Sequence, residues 1–388
     1  SYDPSGSLTR AEMAKLITYV MNGGTEPVLG TKVNPTYSDI DDHWAEAYIE
    51  YCTSMGIIAG DGAGKFNPEG TLTGSQASKM ILAAMGYNAE VFGFVGNDWE
   101  INTSRYANEA GLYDGLVGMV ASNTITRDQV AQVFYNAIQA PLMQRSWSQN
   151  QTTGQVTETY NLAVGTSGQI LHSLLKDKFG AQIFIGTFQG NSSTGAATTE
   201  GEIAVFGKLD TAESDAKDVK ATFPSDLDIS NIGEQVKVIF KDGTSGKTGQ
   251  PDKNDTIYGV FNTGATTIVT GTRADVKDQK STDAKIDIGG TKYDTKDEVT
   301  VITNYVGSGT SYDADNGTST ANSSLTTALK ASNGDTIKAV TDPEDGKIQT
   351  IYITASKIAA VTGLNDEKVT MNNGVGTITI ADNEVYDG

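Results

Sequence analysis

The feature that most constrains this 388-residue chain is a local design written three times. Thr9-Arg10-Ala11-Glu12, Thr73-Gly74-Ser75-Gln76 and Thr126-Arg127-Asp128-Gln129 all have the Thr-x-x-Glu/Gln form of a capping box. In that motif the threonine and the acid or amide satisfy each other's orphan backbone N–H groups at a helix start. Apolar residues follow each box at matching offsets: Met13, Leu16, Ile17, Val20; Ala77, Met80, Ile81, Ala84; Val130, Val133, Phe134, Ala137. This spacing lays one apolar stripe along each helix. A repeated unit cannot bury such a stripe alone, so three copies predict a compact bundle of helical pairs over residues 1–145.

The middle copy is the fullest. It opens on Tyr37-Ser38-Asp39-Ile40-Asp41-Asp42-His43-Trp44-Ala45, where the aspartates read as helix caps, and continues with the stripe Ala45, Tyr48, Ile49, Cys52. Asp39, Asp41 and Asp42 lack the spacing and distal glutamate of an EF-hand. Gly56 is a helix stop, followed by the hydrophobic Ile57. Gly60-Asp61-Gly62-Ala63-Gly64 then leads through Phe66-Asn67-Pro68 to Thr73. This glycine run follows a helix and lacks the Gly-Lys-Ser/Thr ending of a phosphate loop. The same step from proline to threonine joins Pro4 to Thr9, so the first copy is present as its second half. In the third, Ala121 replaces proline.

Past residue 141 the pattern changes. Ser146 to Thr159 reads as a linker or first edge strand, and Ile170 to Phe179 as a short helix. Short β-branched and aromatic runs then predict strands at 182–188, 201–206, 219–223, 236–240, 256–261, 266–269, 285–288, 299–304, 336–340, 348–353 and 377–380. Asp242-Gly243 and Asp345-Gly346 are hairpin-turn dipeptides. Gly307 to Ser324 reads as an exposed loop. The domain expectation is therefore 1–145 helical (copies at 1–24, 37–90 and 91–140), 146–165 linker or edge strand, 166–356 β-rich, and 357–388 the start of a further β-domain or edge hairpin. Both ends of the chain read as cut from a longer protein.

The net charge of −20 disfavours nucleic acid, whose phosphates need cationic surfaces. No apolar run approaches the roughly 18 residues that a membrane span requires. Cys52 is the single cysteine, and its apolar neighbours predict a buried thiol. His43 and His172 lie in different segments, and no nucleophile elbow or Cys–His signature is present, so no enzymatic chemistry is expected. Asp342 and Asp345 read as a solvated hairpin, and are the candidate residues for a Ca²⁺ site if one exists. Asn191-Ser192-Ser193 and Asn316-Gly317-Thr318 are weak glycosylation signals.

The repeats resemble S-layer homology domains, three-copy modules that anchor proteins to bacterial cell walls. The likeness rests on Tyr37 with Asp39, His43-Trp44-Ala45, Gly56-Ile57 with Gly60, Phe66-Asn67-Pro68, Leu72-Thr73, Leu8-Thr9-Arg10-Ala11-Glu12 and Ile125-Thr126-Arg127-Asp128-Gln129. It implies a multidomain α + β chain, with an all-α pseudo-threefold trimer of repeats followed by sandwich- or barrel-like β-domains. The implied partner is secondary cell-wall polysaccharide, often pyruvylated, bound in grooves between the repeats. A pyruvyl carboxylate suits a guanidinium at a helix N-terminus, so Arg10 and Arg127 become anion anchors. Trp44, otherwise a core or boundary residue, would face a sugar ring. Asp39 would accept sugar hydroxyls, and Gly60 would allow close backbone approach. Gly74 stands where the family carries arginine, which leaves one groove without its anchor. The resemblance further implies an extracellular S-layer protein that associates laterally with its own copies. A wall-anchored adhesin and the noncatalytic part of a wall-anchored hydrolase are the alternatives.

Overall fold

The computed structural model describes residues 3–166, 168–210, 217–280, 282–315, 317–318, 320–331, 334–355, 361–365, 368–371 and 376–379. Tyr2, Asn316, Ile380 and the segment 381–388 lie outside them, so the expectations resting on those positions are not addressed. The chain divides into two compact units. One comprises residues 1–183, 209–216 and 239–245; the other comprises 184–208, 217–238 and 246–388.

The first unit is built on five helices: α1 (Arg10–Met21), α2 (Glu46–Ser54), α3 (Gly74–Ala84), α4 (Trp99–Glu109) and α5 (Arg127–Gln139). All three capping boxes form. Thr9, Thr73 and Thr126 each accept the N–H of the residue three on, whose side chain in turn takes the threonine N–H. Each cap contributes about 1 kcal/mol. The next orphan donors are met across the repeats. Arg10 and Ala11 donate to the carbonyls of Gly70 and Pro68, Gly74 and Ser75 to those of Asn123 and Ala121, and Arg127 and Asp128 to those of Gly6 and Pro4. Single β-bridges join Thr9 to Thr71, Thr73 to Thr124 and Ser7 to Thr126. The three helix starts are thus tied head to tail in a closed ring. Ala121 serves because the position supplies a carbonyl, which any residue has.

The stripes bury Met13 and Ile17, Ala77 and Ile81, Val130 and Val133, together with Ile49, Cys52, Phe66 and Phe94. Leu16 departs from the expectation: it is 39% exposed, and Ala14 takes the buried place. Burial pushes the Cys52 thiol up to about 11, so it is inert at neutral pH. Helix α2 ends as the sequence predicts, with Gly56 at φ +69° and the Ile57 N–H returned to the Cys52 carbonyl at 2.9 Å. Its start does not. The N-cap is Ala45, with no side-chain cap from Asp41 or Asp42. The chain turns at Asp42 (φ +57°), and His43 Nδ1 accepts the Ala45 N–H at 3.1 Å instead. His43 Nε2 lies 2.9 Å from Glu69.

Glu50 is a further tie within this unit, its side chain only 5% exposed. Burial alone would raise its carboxyl. The bonds from Lys32, the Thr36 N–H and the Thr36 hydroxyl outweigh that and hold it below the usual carboxylate range. A carboxyl lowered by folding contributes stability that is complete above its unfolded value, about 4.3, and lost as pH falls through the lower folded value. Glu50→Gln should therefore flatten the acid limb of the thermal-melting profile below about pH 4.3. An unchanged acid limb would show that Glu50 is not linked to folding.

Residues 143–162 take the strand alternative of the linker-or-edge-strand reading, as an antiparallel hairpin of β1 (Met143–Gln149) with β2 (Val156–Leu162), most of whose residues are exposed. The next helix is shorter than expected: α6 (Leu174–Asp177), capped by Ser173. His172 pairs with the Asp177 carboxylate at 3.1 Å.

The remaining strands are β3 (Gln182–Asn191), β4 (Glu202–Leu209), β5 (Val219–Pro224), β6 (Gln235–Lys241), β7 (Thr256–Asn262), β8 (Ile268–Thr272), β9 (Val276–Lys277), β10 (Lys285–Ile288), β11 (Thr291–Thr303) and β12 (Thr310–Asp313). After α7 (Ser324–Leu329) come β13 (Thr336–Thr341), β14 (Ile348–Thr354), β15 (Val361–Asn365), β16 (Lys368–Met371) and β17 (Gly376–Thr379). One sheet has the order β5-β4-β3-β6-β7; another runs β8-β13-β14-β11-β10-β9 with β12 on β11; β15-β16-β17 form a third. Only β11–β14 is parallel among the registered pairs of the second sheet. Alternation along β3 buries Phe184 and Phe188 on one face. The described residues thus make an α + β chain, helical through 139 and mostly β beyond. Asp345-Gly346 does join a hairpin, with the Asp342 N–H on the Lys347 carbonyl at 2.8 Å. Asp242-Gly243 does not, because β6 and β7 are separated by the long segment 242–255. Gly307 to Ser324 is not all loop, since β12 pairs within it.

Candidate functional site

Two clefts open on the helical unit, and each carries one of the predicted arginines. The first, of about 370 Å³, is lined by Arg10, Ala59, Gly60, Asp61, Phe66, Gln76, Lys79 and Trp99, among others. The second, of about 530 Å³, is lined by Leu8, Glu12, Lys15, Leu16, Tyr19, Glu26, Trp44 and Arg127.

In the first cleft Arg10 is held by backbone. Nε donates to the Phe66 carbonyl at 2.8 Å and Nη2 to the Ala59 carbonyl at 2.9 Å, with the guanidinium 4.3 Å from the Phe66 ring centre. Lys79 Nζ lies 5.2 Å from the Trp99 ring centre. Burial lowers both cations from their ordinary values; for Lys79 the charge of Arg10 adds to the effect. Asp39 and Asp61 act on Arg10 only through space. Among the described residues, neither Arg10 nor Lys79 is in an ion pair. Two partly desolvated cations that repel one another favour an anion between them.

The second cleft is differently balanced. Arg127 donates Nη1 and Nη2 to a single oxygen of Glu12, at 3.0 and 2.6 Å. Lys15 faces Glu26 at 3.7 Å and the Tyr48 ring at 5.2 Å. Its cations already have carboxylate partners, Glu12 among them from the same α1 whose Arg10 serves the first cleft. Gly74, the position without arginine, has no room for a side chain. A Cβ there would lie 2.6 Å from Met119 Cε and 3.0 Å from the Ala121 carbonyl.

The other predicted residues separate. Trp44 is 54% exposed, beside His43 and Tyr48, and so is a cleft wall rather than core. Asp39 lines neither cleft: its two oxygens take the N–H groups of Phe66 and Asn67, each at 2.8 Å, and so hold the loop that carries the Arg10 carbonyl partner. Gly60 lines the first cleft, but the close approach it allows is to the protein itself. A Cβ at that position would lie 2.5 Å from the Tyr37 ring and 2.6 Å from the Lys65 carbonyl. Asp342 and Asp345 share the Lys296 ammonium at 3.1 and 2.9 Å, so a side-chain cation already serves both. Among the described residues no group of three His, Cys, Asp or Glu is placed to hold a metal ion, and no helix is long and apolar enough to cross a membrane.

Lys79 and Trp99 are cleft residues that the sequence reading did not single out, and Gln76 was read only as part of a capping box. The signal is nonetheless present: Lys79 follows Thr73 at the offset at which Lys15 follows Thr9, while Gln132 holds that place in the third copy. Trp99 opens α4 much as Trp44 precedes α2.

Residues 36–78 match the S-layer homology domain family. The chain is similar to an uncharacterized cell wall amidase of Bacillus anthracis, 30% identical over 26% of this chain and 18% of that protein. It is also similar to the exoglucanase XynX of Acetivibrio thermocellus, 28% identical over 35% and 13%, and to the S-layer protein EA1 of Bacillus anthracis, 27% identical over 34% and 16%. The chain spans under a fifth of the length of each of these relatives. It is an extracellular, cell-wall-associated surface protein that carries S-layer homology sequence.

Proposed function

We propose that the chain anchors a surface-layer protein to the wall by binding an anionic secondary polysaccharide in the Arg10–Lys79–Trp99 cleft. The observation that carries this reading is the pair of cations left without a carboxylate. A ketal-linked pyruvate, or another acidic substituent, would sit between guanidinium and ammonium, with Trp99 as the apolar platform for its sugar. Helical repeats over 1–145 would form a pseudo-threefold spindle of which this is the working groove. The Arg127 groove, neutralised by Glu12, would contribute less, and the Gly74 position nothing. The β-rich region 166–356, with 357–388, would then project outward as sandwich- or barrel-like domains and meet other copies in a lateral array. Relatives named as hydrolases share parts of this sequence, and anchoring serves a hydrolase or an array equally. Catalysis is no part of the reading.

The test is co-sedimentation of the 388-residue chain with native cell-wall sacculi and with sacculi stripped of their non-peptidoglycan polymer. Pelleting with the first and not the second is expected. Equal pelleting with both would refute the proposal.

A further inference from the structure

The second unit holds a polar cavity that wall anchoring does not use. Its floor is one face of the β4–β5 pair. Glu202 lies opposite Pro224 and Ala204 opposite Thr222, so Glu202 and Thr222 project from the same side of the sheet. One wall is the turn before β4, with Thr198 and Thr199; the other is the segment 247–254 between β6 and β7. The cavity holds about 260 Å³ and is open to solvent.

That segment is shaped in advance. The Asp252 carboxylate accepts the N–H groups of Lys247 and Asn254, each at 2.7 Å, and the Asp252 N–H donates to Asp255 at 2.8 Å. Gln250 Nε2 donates to the Lys220 carbonyl at 2.6 Å, pinning the segment to β5.

Glu202 is 8% exposed and lines the cavity. Among the described residues its carboxylate has no hydrogen-bond or ion-pair partner. Lys247 and Lys253 line the same space without pairing to it. The Glu202 carboxylate is thus left facing the cavity, where an incoming hydroxyl donor can complete it. A metal ion fits poorly, because Asp252 is committed to backbone donors and two lysines flank the space. What fits is a group that donates to Glu202 while accepting from threonine hydroxyls and ammonium groups over the width of one ring. Vicinal sugar hydroxyls do both, and Pro251 offers an apolar edge to the ring's C–H face.

We infer that this cavity binds a single pyranose residue, free or at the end of a glycan, with Glu202 accepting two of its hydroxyls. The test is ligand-observed NMR on the 388-residue chain with free hexoses, with neutral and N-acetylated methyl glycosides, and with calcium chloride alone. At least one saccharide should bind saturably, and Glu202→Gln should weaken it about tenfold or more, since a charge-assisted acceptor is lost. Free hexoses binding as well as glycosides would mark a free sugar as the ligand; glycosides alone would mark a glycan end. Glu202→Gln should also keep the melting temperature, because among the described residues no hydrogen bond or ion pair of Glu202 is lost, so loss of binding would not reflect unfolding. No saturable saccharide, unchanged binding by Glu202→Gln, or a response to calcium that Glu202→Gln abolishes would overturn the inference.

Discussion

Phe66→Ala is expected to lower the stability of the helical unit by about 3–5 kcal/mol, measured as a shift of its urea-unfolding midpoint. The ring is 1% exposed, packs 5.6 Å from Tyr37, and is the surface over which Arg10 lies. Its backbone is fixed from both sides, with the N–H on Asp39 and the carbonyl under Arg10 Nε. Removing the ring therefore opens a cavity that the chain cannot close by shifting the loop. The same change frees the guanidinium, so wall binding should fall even where the variant is folded. A loss under about 1 kcal/mol would mean that the ring is not part of the core.

The largest functional effect is expected from Arg10→Ala combined with Lys79→Ala. Each loses a charged contact worth about 1.5–3 kcal/mol to a bound anion, so the pair should weaken wall binding about a hundredfold or more. Arg127→Ala should cost far less, because Glu12 already occupies that guanidinium. The discriminating readout is sacculus co-sedimentation of the two variants side by side. If Arg127→Ala abolished binding and the double variant did not, the two clefts would have been assigned the wrong way round.

The helix starts were legible because a capping box is a local bargain between residues three apart, and all three formed. The ring of bonds from the helix starts to Pro68, Ala121 and Pro4 was not, since a carbonyl carries no side-chain signature. The aspartates before α2 misled for a related reason. Asp39 resembles a cap, yet its partners Phe66 and Asn67 are distant in sequence, and a histidine ring performs the capping. Arg10 and Arg127 looked equivalent by motif. Their difference lies in which side chain the neighbouring repeat presents, Gln76 in one cleft and Glu12 in the other. Strands with alternating residues such as β3 and β10 were readable. The exposed hairpin β1–β2 was readable only as a linker or an edge strand, because neither face is buried and no periodicity decides between the two. Trp44 looked like core beside an apolar stripe, but the stripe closes with Ala45 and Ile49 and leaves the indole outside.

The central claim is that an acidic wall polymer occupies the cleft between Arg10 and Lys79. Trp99 stands in that cleft, Trp44 in the other, and Trp147 on the exposed hairpin, so the three indole N–H resonances report on three places. Titration of isotopically labelled chain with purified wall polysaccharide should shift the Trp99 resonance saturably, leave Trp147 unmoved, and affect Trp44 weakly. A saturable shift of Trp44 with Trp99 still, or no shift in either, would contradict the account.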